Sequence, residues 1–254
     1  NPLTSVKGTI ISGFILAILV ALYVSPESSM FQTRNFSIWL HALFGVTWVG
    51  LLYYFNFVQV PAMADALADE GGPGPAAIGK YVAPRALLWF RMAAAATWLT
   101  GAWALSISPQ YGFTQTFLFQ APAGPMMSLG VWMGTIMLFN VWVLIWPNQK
   151  IALGMVEGDG PTAGAKALLA SRTNTLFSGP MAFGMLASSH FGYSADGLLS
   201  ANGVSTGLFI GIGLIVLLEL NAIFGKLGPM TTVKGVIHAS LGLTAVMFAV
   251  LHYV

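Results

Sequence analysis

Four histidines lie in or beside long apolar segments of this sequence, where an ionisable side chain is costly and often functional. His41 and His238 come early in two of these segments, and His190 and His252 come late in two. Imidazole nitrogen is a common ligand of metal ions and of haem iron. We therefore expect iron chemistry or proton transfer here, against the simpler alternative of histidines that are hydrogen-bonded to a neighbouring helix.

The absence of cysteine narrows the choice of cofactor. It excludes thiolate ligands, iron–sulfur clusters and the CxxCH site of covalent haem c. A haem b needs only two imidazoles at a similar depth on different helices, and His41 and His190 meet that condition, so we expect both as metal ligands. Gly45, one turn after His41, is expected to leave space for the macrocycle, and Trp48 continues the same face.

The other two histidines remain candidates for binding the haem. His238 and His252 are fourteen residues apart, so on one helix they share a face but lie about 21 Å apart. They therefore cannot hold one iron together, although either could pair with His41. A place in the lipid headgroup layer is the simpler interpretation for His252.

A second group of ionisable residues lies on the side of the predicted membrane opposite to His41. Arg91 and Glu219 are expected either to form a buried ion pair, which offsets desolvation, or to form a proton path or an anion site together with His238. A guanidinium suits bidentate binding of an anion.

The composition indicates an all-α polytopic membrane protein. The chain has 254 residues, of which 56% are hydrophobic and only 7% are charged, against about 25% charged in soluble domains. Its net charge of +2 gives no reason to expect nucleic acid as a partner. We expect one transmembrane helical domain over residues 1–254, because helices pair their backbone polar groups inside lipid. Seven segments approach the length of about 20 residues that a span needs: 8–24, 37–60, 84–106, 126–147, 175–196, 204–225 and 232–254.

Basic residues predict the orientation of these spans, because cytoplasmic loops are enriched in lysine and arginine. Arg34 is alone on one side, and Arg91 lies within the third predicted span. The remaining basic residues fall on the side of the N-terminus: Lys7, Lys80, Arg85, Lys150, Lys166, Arg172, Lys226 and Lys234. We therefore expect the N-terminus in the cytoplasm and the C-terminus in the periplasm of a bacterial inner (plasma) membrane.

Several segments resemble the membrane domain of the membrane-bound urate hydroxylase (urate oxidase N-terminal domain) family. They cover four predicted spans in the expected order: WLHALFGVTWVGLLYYFNFVQVP (39–61), WFRMAAAATWLTG (89–101), NVWVLIWPNQK (140–150) and SRTNTLFSGPMAFGMLASSHF (171–191). A weaker resemblance, limited to the pattern H-x6-W-x-G-L that starts at His41, extends to the haem-binding membrane protoporphyrinogen oxidase and copper-resistance D families.

The resemblance implies a multi-span inner-membrane oxidoreductase. Such proteins oxidise urate to 5-hydroxyisourate and pass electrons to the respiratory chain through a C-terminal cytochrome c domain. Four residues lie in the matching segments, namely His41, Arg91, Asn174 and His190. Of these we expect Arg91 and Asn174 to be catalytic, by holding a small anionic or planar polar substrate such as urate. Since the sequence has no CxxCH, we expect electrons to pass to a separate cytochrome c.

Two other functions compete with this one. The chain could be a non-catalytic accessory subunit of a larger respiratory or photosynthetic membrane complex. It could also be a small-molecule transporter, with Arg91, Glu219 and His238 lining a path. The paired, interrupted spans that are typical of inverted-repeat transporters are not evident in the sequence, which counts against a transporter.

Overall fold

The computed structural model describes residues 1–24, 33–121, 124–190 and 206–254, and in these residues the regular structure is entirely helical. The predicted all-α class is therefore confirmed. The α-helices are α1 (Val6–Val24), α2 (Thr33–Tyr53), α3 (Val60–Ala68), α4 (Ala83–Ser106), α5 (Phe113–Phe117), α6 (Pro125–Phe139), α7 (Trp146–Ala152), α8 (Gly160–His190), α9 (Thr206–Phe224) and α10 (Val233–Tyr253).

Within the described ranges, three π-helical turns interrupt or precede these helices. Tyr54–Gln59 joins α2 to α3, Asn140–Ile145 joins α6 to α7, and Ile78–Val82 leads into α4. A π-helical turn accommodates one extra residue, which re-aims the side chains that follow, and such turns are frequent at functional sites. An apolar pattern read along the sequence cannot reveal a single inserted residue, so these turns were not predicted.

Four helices of the described chain are long and apolar enough to cross a membrane, by length and composition. They are Thr33–Ala68, which joins α2 to α3, Pro125–Ala152, which joins α6 to α7, α9 and α10. A polytopic membrane protein is thereby supported. The larger number of seven spans stays a prediction, because α1, α4 and α8, which overlap the other three predicted segments, are not among these four helices.

The start of α8 differs from the prediction. The helix begins at Gly160 rather than near residue 175, although the segment around it is rich in glycine. Asp159 precedes the helix, and its Oδ1 accepts a hydrogen bond from the Thr162 backbone N–H at 3.2 Å, as a capping residue does. Hydrogen bonds from the side chain and backbone of Thr162 hold the pKa of the Asp159 carboxyl below its usual value.

Small residues let the helices of the bundle approach closely. A Cβ atom at Gly184 in α8 would lie 2.7 Å from the backbone carbonyl oxygen of Met126 in α6. A Cβ at Gly130 in α6 would lie 3.0 Å from the carbonyl oxygen of Met181 in α8. Glycine permits such contacts because only its backbone occupies the interface. Helix α8 thus packs on α6 along one side, while α2 packs along α4.

The pairs α2/α4 and α6/α8 are antiparallel, whereas α8 and α10 run parallel, with Gly179 facing Ser240 and Phe183 contacting Phe248. The start of α2 lies against the end of α4, and the start of α6 lies against the end of α8. We call one end of the bundle the His41 end, which comprises residues 33–41, 101–106, 125–130, 184–190, 206–211 and 247–253. We call the opposite end the Asp159 end, which comprises residues 69–77, 153–159 and 225–232.

Candidate functional site

His41 is anchored to the neighbouring helix through one ring nitrogen. Its Nδ1 lies 2.8 Å from the backbone carbonyl oxygen of Thr97 in α4. A carbonyl only accepts hydrogen bonds, so Nδ1 carries the proton and the unprotonated nitrogen of the neutral ring is Nε2. The contact requires Gly101, because a Cβ at that position would lie 2.8 Å from His41 Cε1. The ring is therefore fixed in orientation and tautomer. The lone pair of Nε2 remains available to bind a metal ion.

This arrangement matches the way proteins hold an imidazole that binds a metal. Metal-ligating histidines almost always donate their second ring N–H to a carbonyl, a carboxylate or water. The half-buried His41 has that bond already, inside one of the helices long enough to span a membrane. The donor group at His41 thus fits an axial ligand of haem iron.

The face of α2 that follows His41 contacts α4 and the hydrophobic core. A Cβ at Gly45 would lie 3.7 Å from the Thr97 methyl group of α4, which is an ordinary van der Waals distance. Trp48 is 2% exposed and belongs to the main hydrophobic core. Its indole Nε1 has no hydrogen-bond partner among the described residues. Trp48 is therefore a core side chain in this structure, while the space for a macrocycle beside Gly45 stays a prediction.

The other histidines fall at both ends of the bundle. His190 is the last residue of α8, at the His41 end, and its side chain lies outside the described part of the structure. His252 is exposed at the same end, with its ring stacked on Phe248 at a centroid distance of 5.6 Å. His238 is exposed near the start of α10, toward the Asp159 end. By position, His190 and His252 are the candidates to pair with His41, whereas His238 is separated from it along the bundle.

Arg91 lies on an aromatic face. Its Cζ is 3.8 Å from the centroid of the Trp146 ring, which is a close cation–π contact. Its Nη1 is buried and has no hydrogen-bond partner within the described chain. The expected ion pair with Glu219 is not what the structure shows, since one carboxylate oxygen of Glu219 accepts a hydrogen bond from Asn140 instead.

Asn174 belongs to a hydrogen-bonded cluster that links three helices. The Asn140 amide N–H2 donates to Asn174 Oδ1 at 2.9 Å and to Glu219 Oε2 at 3.0 Å. The Asn174 amide nitrogen donates to the Met137 carbonyl oxygen at 2.9 Å. Asn174 is fully buried, and both ends of its amide have protein partners. In this structure it joins α8 to α6, and its role as a substrate contact stays a prediction.

Arg172 is a buried cation that the sequence reasoning missed. The side chain is 3% exposed, and its Nε and Nη1 have no hydrogen-bond partner among the described residues. It precedes the predicted span 175–196 and was assigned, with the other basic residues, to the cytoplasmic side of the membrane. Burial of a charge without a partner is unfavourable, so Arg172 is a candidate residue for binding an anion. The signal that could have found it is its place in the segment SRTN, which carries part of the family resemblance.

Comparison with known proteins supports the family resemblance over the middle of the chain. Residues 103–197 match the family described as Urate oxidase N-terminal. The matched stretch runs from the end of α4 through α8 and contains Asn140, Arg172 and Asn174. No curated protein and no solved structure matches the chain. The predicted resemblance is thus confirmed over this stretch, while His41 and Arg91 lie before it.

Proposed function

We propose that the protein is a haem-b-binding membrane oxidoreductase that resembles urate hydroxylase and takes electrons from a small planar anion such as urate. The observation that carries the proposal is the His41 ring, which is held by the Thr97 carbonyl with Nε2 as the remaining donor atom. The match of residues 103–197 to the Urate oxidase N-terminal family supports the class of reaction.

His41 is one axial ligand in this proposal, and the second comes from His190 or His252 at the same end of the bundle. Haem bound there supplies a carrier of single electrons, whose potential depends on the axial ligands and on the hydrogen bonds around them. The N–H of His41 that faces Thr97 makes the imidazole a stronger ligand and prevents its rotation.

Arg91 and Arg172 are the residues that bind the substrate anion. Both guanidinium groups keep a buried nitrogen without a hydrogen-bond partner among the described residues. Guanidinium binds planar anions through parallel N–H bonds. Oxidation of urate to 5-hydroxyisourate consumes one water and releases two protons and two electrons. Asn174 then acts as a positioning residue, because its bonds to Asn140 and Met137 hold the segment of α8 that carries Arg172.

The proposal also places the chain in the cell. It lies in a bacterial inner membrane with seven spans and a cytoplasmic N-terminus, and it contacts membrane lipid. A separate cytochrome c, or a larger membrane complex that contains one, accepts the electrons. The four long apolar helices support the membrane location, and the uneven distribution of lysine and arginine supports the orientation.

The test is an optical spectrum of the purified full chain. Dithionite-reduced minus oxidised difference spectra and a pyridine haemochrome assay should show a b-type α band in the wild type. The His41→Ala variant should lose the band, whereas His238→Ala, which removes an exposed imidazole toward the other end, should keep it. Full haem content in His41→Ala would show that the ligand assignment is wrong.

A flat spectrum from folded wild-type protein would reject the redox function. In that case, purification in fixed stoichiometry with a large complex would indicate the accessory subunit. Substrate transport into vesicles without a chromophore would indicate the transporter.

A further inference from the structure

A cavity of about 310 Å³ lies toward the Asp159 end of the bundle. It is formed by the π-helical turn Tyr54–Gln59 together with α3, α4, α7 and α8. Its volume falls in the range of small-molecule sites, which begins at about 300 Å³. Two of the three π-helical turns contribute to it, through Phe55 and Gln59 from the first and Ile145 from the third.

The lining of this cavity is apolar with a few neutral polar groups. Its polar residues are Gln59, Gln149 and Ser171, and no charged side chain is among the residues that line it. Transfer of an anion out of water into such surroundings is unfavourable, because no counter-charge replaces its hydration. The lining of the cavity therefore disfavours anions such as urate or a fatty acid and favours a neutral molecule.

Gln59 is the polar group that a ligand would satisfy. The residue is 8% exposed, and its Oε1 has no hydrogen-bond partner among the described residues. Its amide nitrogen has only a long contact to the Met63 sulfur at 4.0 Å. Buried amides normally have stronger partners than these. A ligand hydroxyl could donate to Oε1 and a ligand carbonyl oxygen could accept from the amide nitrogen, whereas a plain hydrocarbon chain could do neither.

Aromatic side chains in the lining favour a ring. Phe55 and Phe90 both line the cavity and meet edge to face with their centroids 5.6 Å apart. Aromatic faces and edges interact specifically with other flat rings, in addition to the area they bury. A ligand with a flat ring, an apolar body and oxygens on its edge would satisfy both the phenylalanines and Gln59.

We propose that this cavity binds a membrane quinone or its quinol, with an oxygen of the ring at the Gln59 amide and the ring beside Phe55 and Phe90. The proposal goes beyond the redox function above and depends on neither the haem nor urate. Binding is measured without turnover, so its outcome is independent of the spectrum.

The test is a calorimetric titration of the detergent-solubilised full chain with decylubiquinone. Wild-type protein should bind it saturably at one site. Gln59→Leu keeps the approximate size of the side chain and removes the amide, so the Kd should rise at least tenfold. Leu168→Trp should fill the cavity and abolish binding. The matched control is Gln120→Leu, which replaces an exposed glutamine toward the His41 end and should bind as the wild type does.

Two results would overturn the proposal. The first is unchanged affinity in both Gln59→Leu and Leu168→Trp, with thermal unfolding curves that show both variants to be folded. The second is equally strong competition by dodecanol, which is neutral but has no ring, because a site for neutral lipid would explain that result. The quinone proposal would be supported if Gln59→Leu and Leu168→Trp lose binding, Gln120→Leu keeps it, and dodecanol competes only weakly.

Discussion

The ring of His41 on α2 donates a hydrogen bond to the backbone carbonyl of Thr97 on α4, 56 residues further along the chain. This bond fixes the tautomer of the imidazole and leaves Nε2 as its ligand atom. The Thr97 carbonyl is reachable because Gly101, one turn later, has no side chain to hold the ring away. The geometry of the proposed haem ligand thus depends on a glycine of another helix.

We expect Gly101→Ala to reduce the haem content of the purified protein to less than half of the wild-type value. The new Cβ would lie 2.8 Å from His41 Cε1, so the ring must move away from Thr97. The haem-to-protein ratio from a pyridine haemochrome assay measures the effect. Gly50→Ala is the matched control on α2, because a Cβ there meets nothing within 4 Å. Wild-type haem content in Gly101→Ala would contradict the anchoring role of the Thr97 contact.

Arg172→Met should separate stability from function. Replacement of a buried, unpaired charge by an apolar side chain of similar length is expected to leave stability unchanged or to raise it by about 1–4 kcal/mol. The same change should slow urate-dependent reduction of the haem at least tenfold, because it removes an anion-binding guanidinium. Thermal unfolding and stopped-flow absorbance measure the two effects.

The control for this prediction is Arg85→Met, which removes an exposed arginine of α4. It should change neither the unfolding temperature nor the rate of reduction. If Arg172→Met unfolds at a lower temperature and still responds to urate, then Arg172 has a structural partner and is not a substrate ligand.

Asn140→Leu should destabilise the bundle. The Asn140 amide N–H2 donates to Asn174 Oδ1 and to Glu219 Oε2, and its loss would leave one buried and one partly buried acceptor without this donor. Each unsatisfied acceptor costs about 1–3 kcal/mol, so we expect a total loss of about 2–6 kcal/mol. Thermal or denaturant unfolding in detergent measures it.

Asn148→Leu is a suitable comparison, because among the described residues its amide donates to the Leu144 carbonyl of its own continuous helix and not across to another helix. It should cost much less than Asn140→Leu. Equal losses in the two variants would show that the cluster of Asn140, Asn174 and Glu219 adds no stability of its own.

Gly184→Ala should separate α8 from α6 locally. The added Cβ would lie 2.7 Å from the Met126 carbonyl oxygen, and backbone atoms cannot give way as a flexible side chain can. Overpacking of this kind costs about 1–3 kcal/mol. The unfolding temperature measures the loss.

Gly213→Ala in α9 meets nothing within 4 Å and serves as the control. Because alanine is the better helix former, it should raise stability slightly, by about 0.5–1 kcal/mol. If both variants unfold at the same temperature, the close contact between α6 and α8 is not important for stability.

Much of this architecture was predictable from the sequence alone. The apolar segments become helices because a helix satisfies its backbone groups within one stretch of chain, whatever surrounds it. Successive helices cross the bundle in alternating directions, so the position of a residue within its apolar segment predicts the end at which it lies. On this basis His41, His190 and His252 lie at one end, and His238 lies toward the other. The family resemblance was also predicted, and the match over residues 103–197 confirms it.

Other features depend on contacts between residues that are distant in the chain. The partners of His41, Asn174 and Glu219 are chosen by which helices pack together, which no local pattern encodes. The neighbour of Gly45 across the helix interface is likewise the Thr97 methyl group of another helix, 3.7 Å from where a Cβ would lie.

The π-helical turns and the burial of Arg172 are also decided by tertiary packing. A π-helical turn accommodates one extra residue, and two such turns contain the buried polar residues Asn140 and Gln59. Arg172 becomes a buried cation because α8 is extended backwards to Gly160 and packed between α6 and α10. Hydrophobicity along the chain thus determined which segments are helical, and the packing of those helices determined which polar groups were left to bind a ligand.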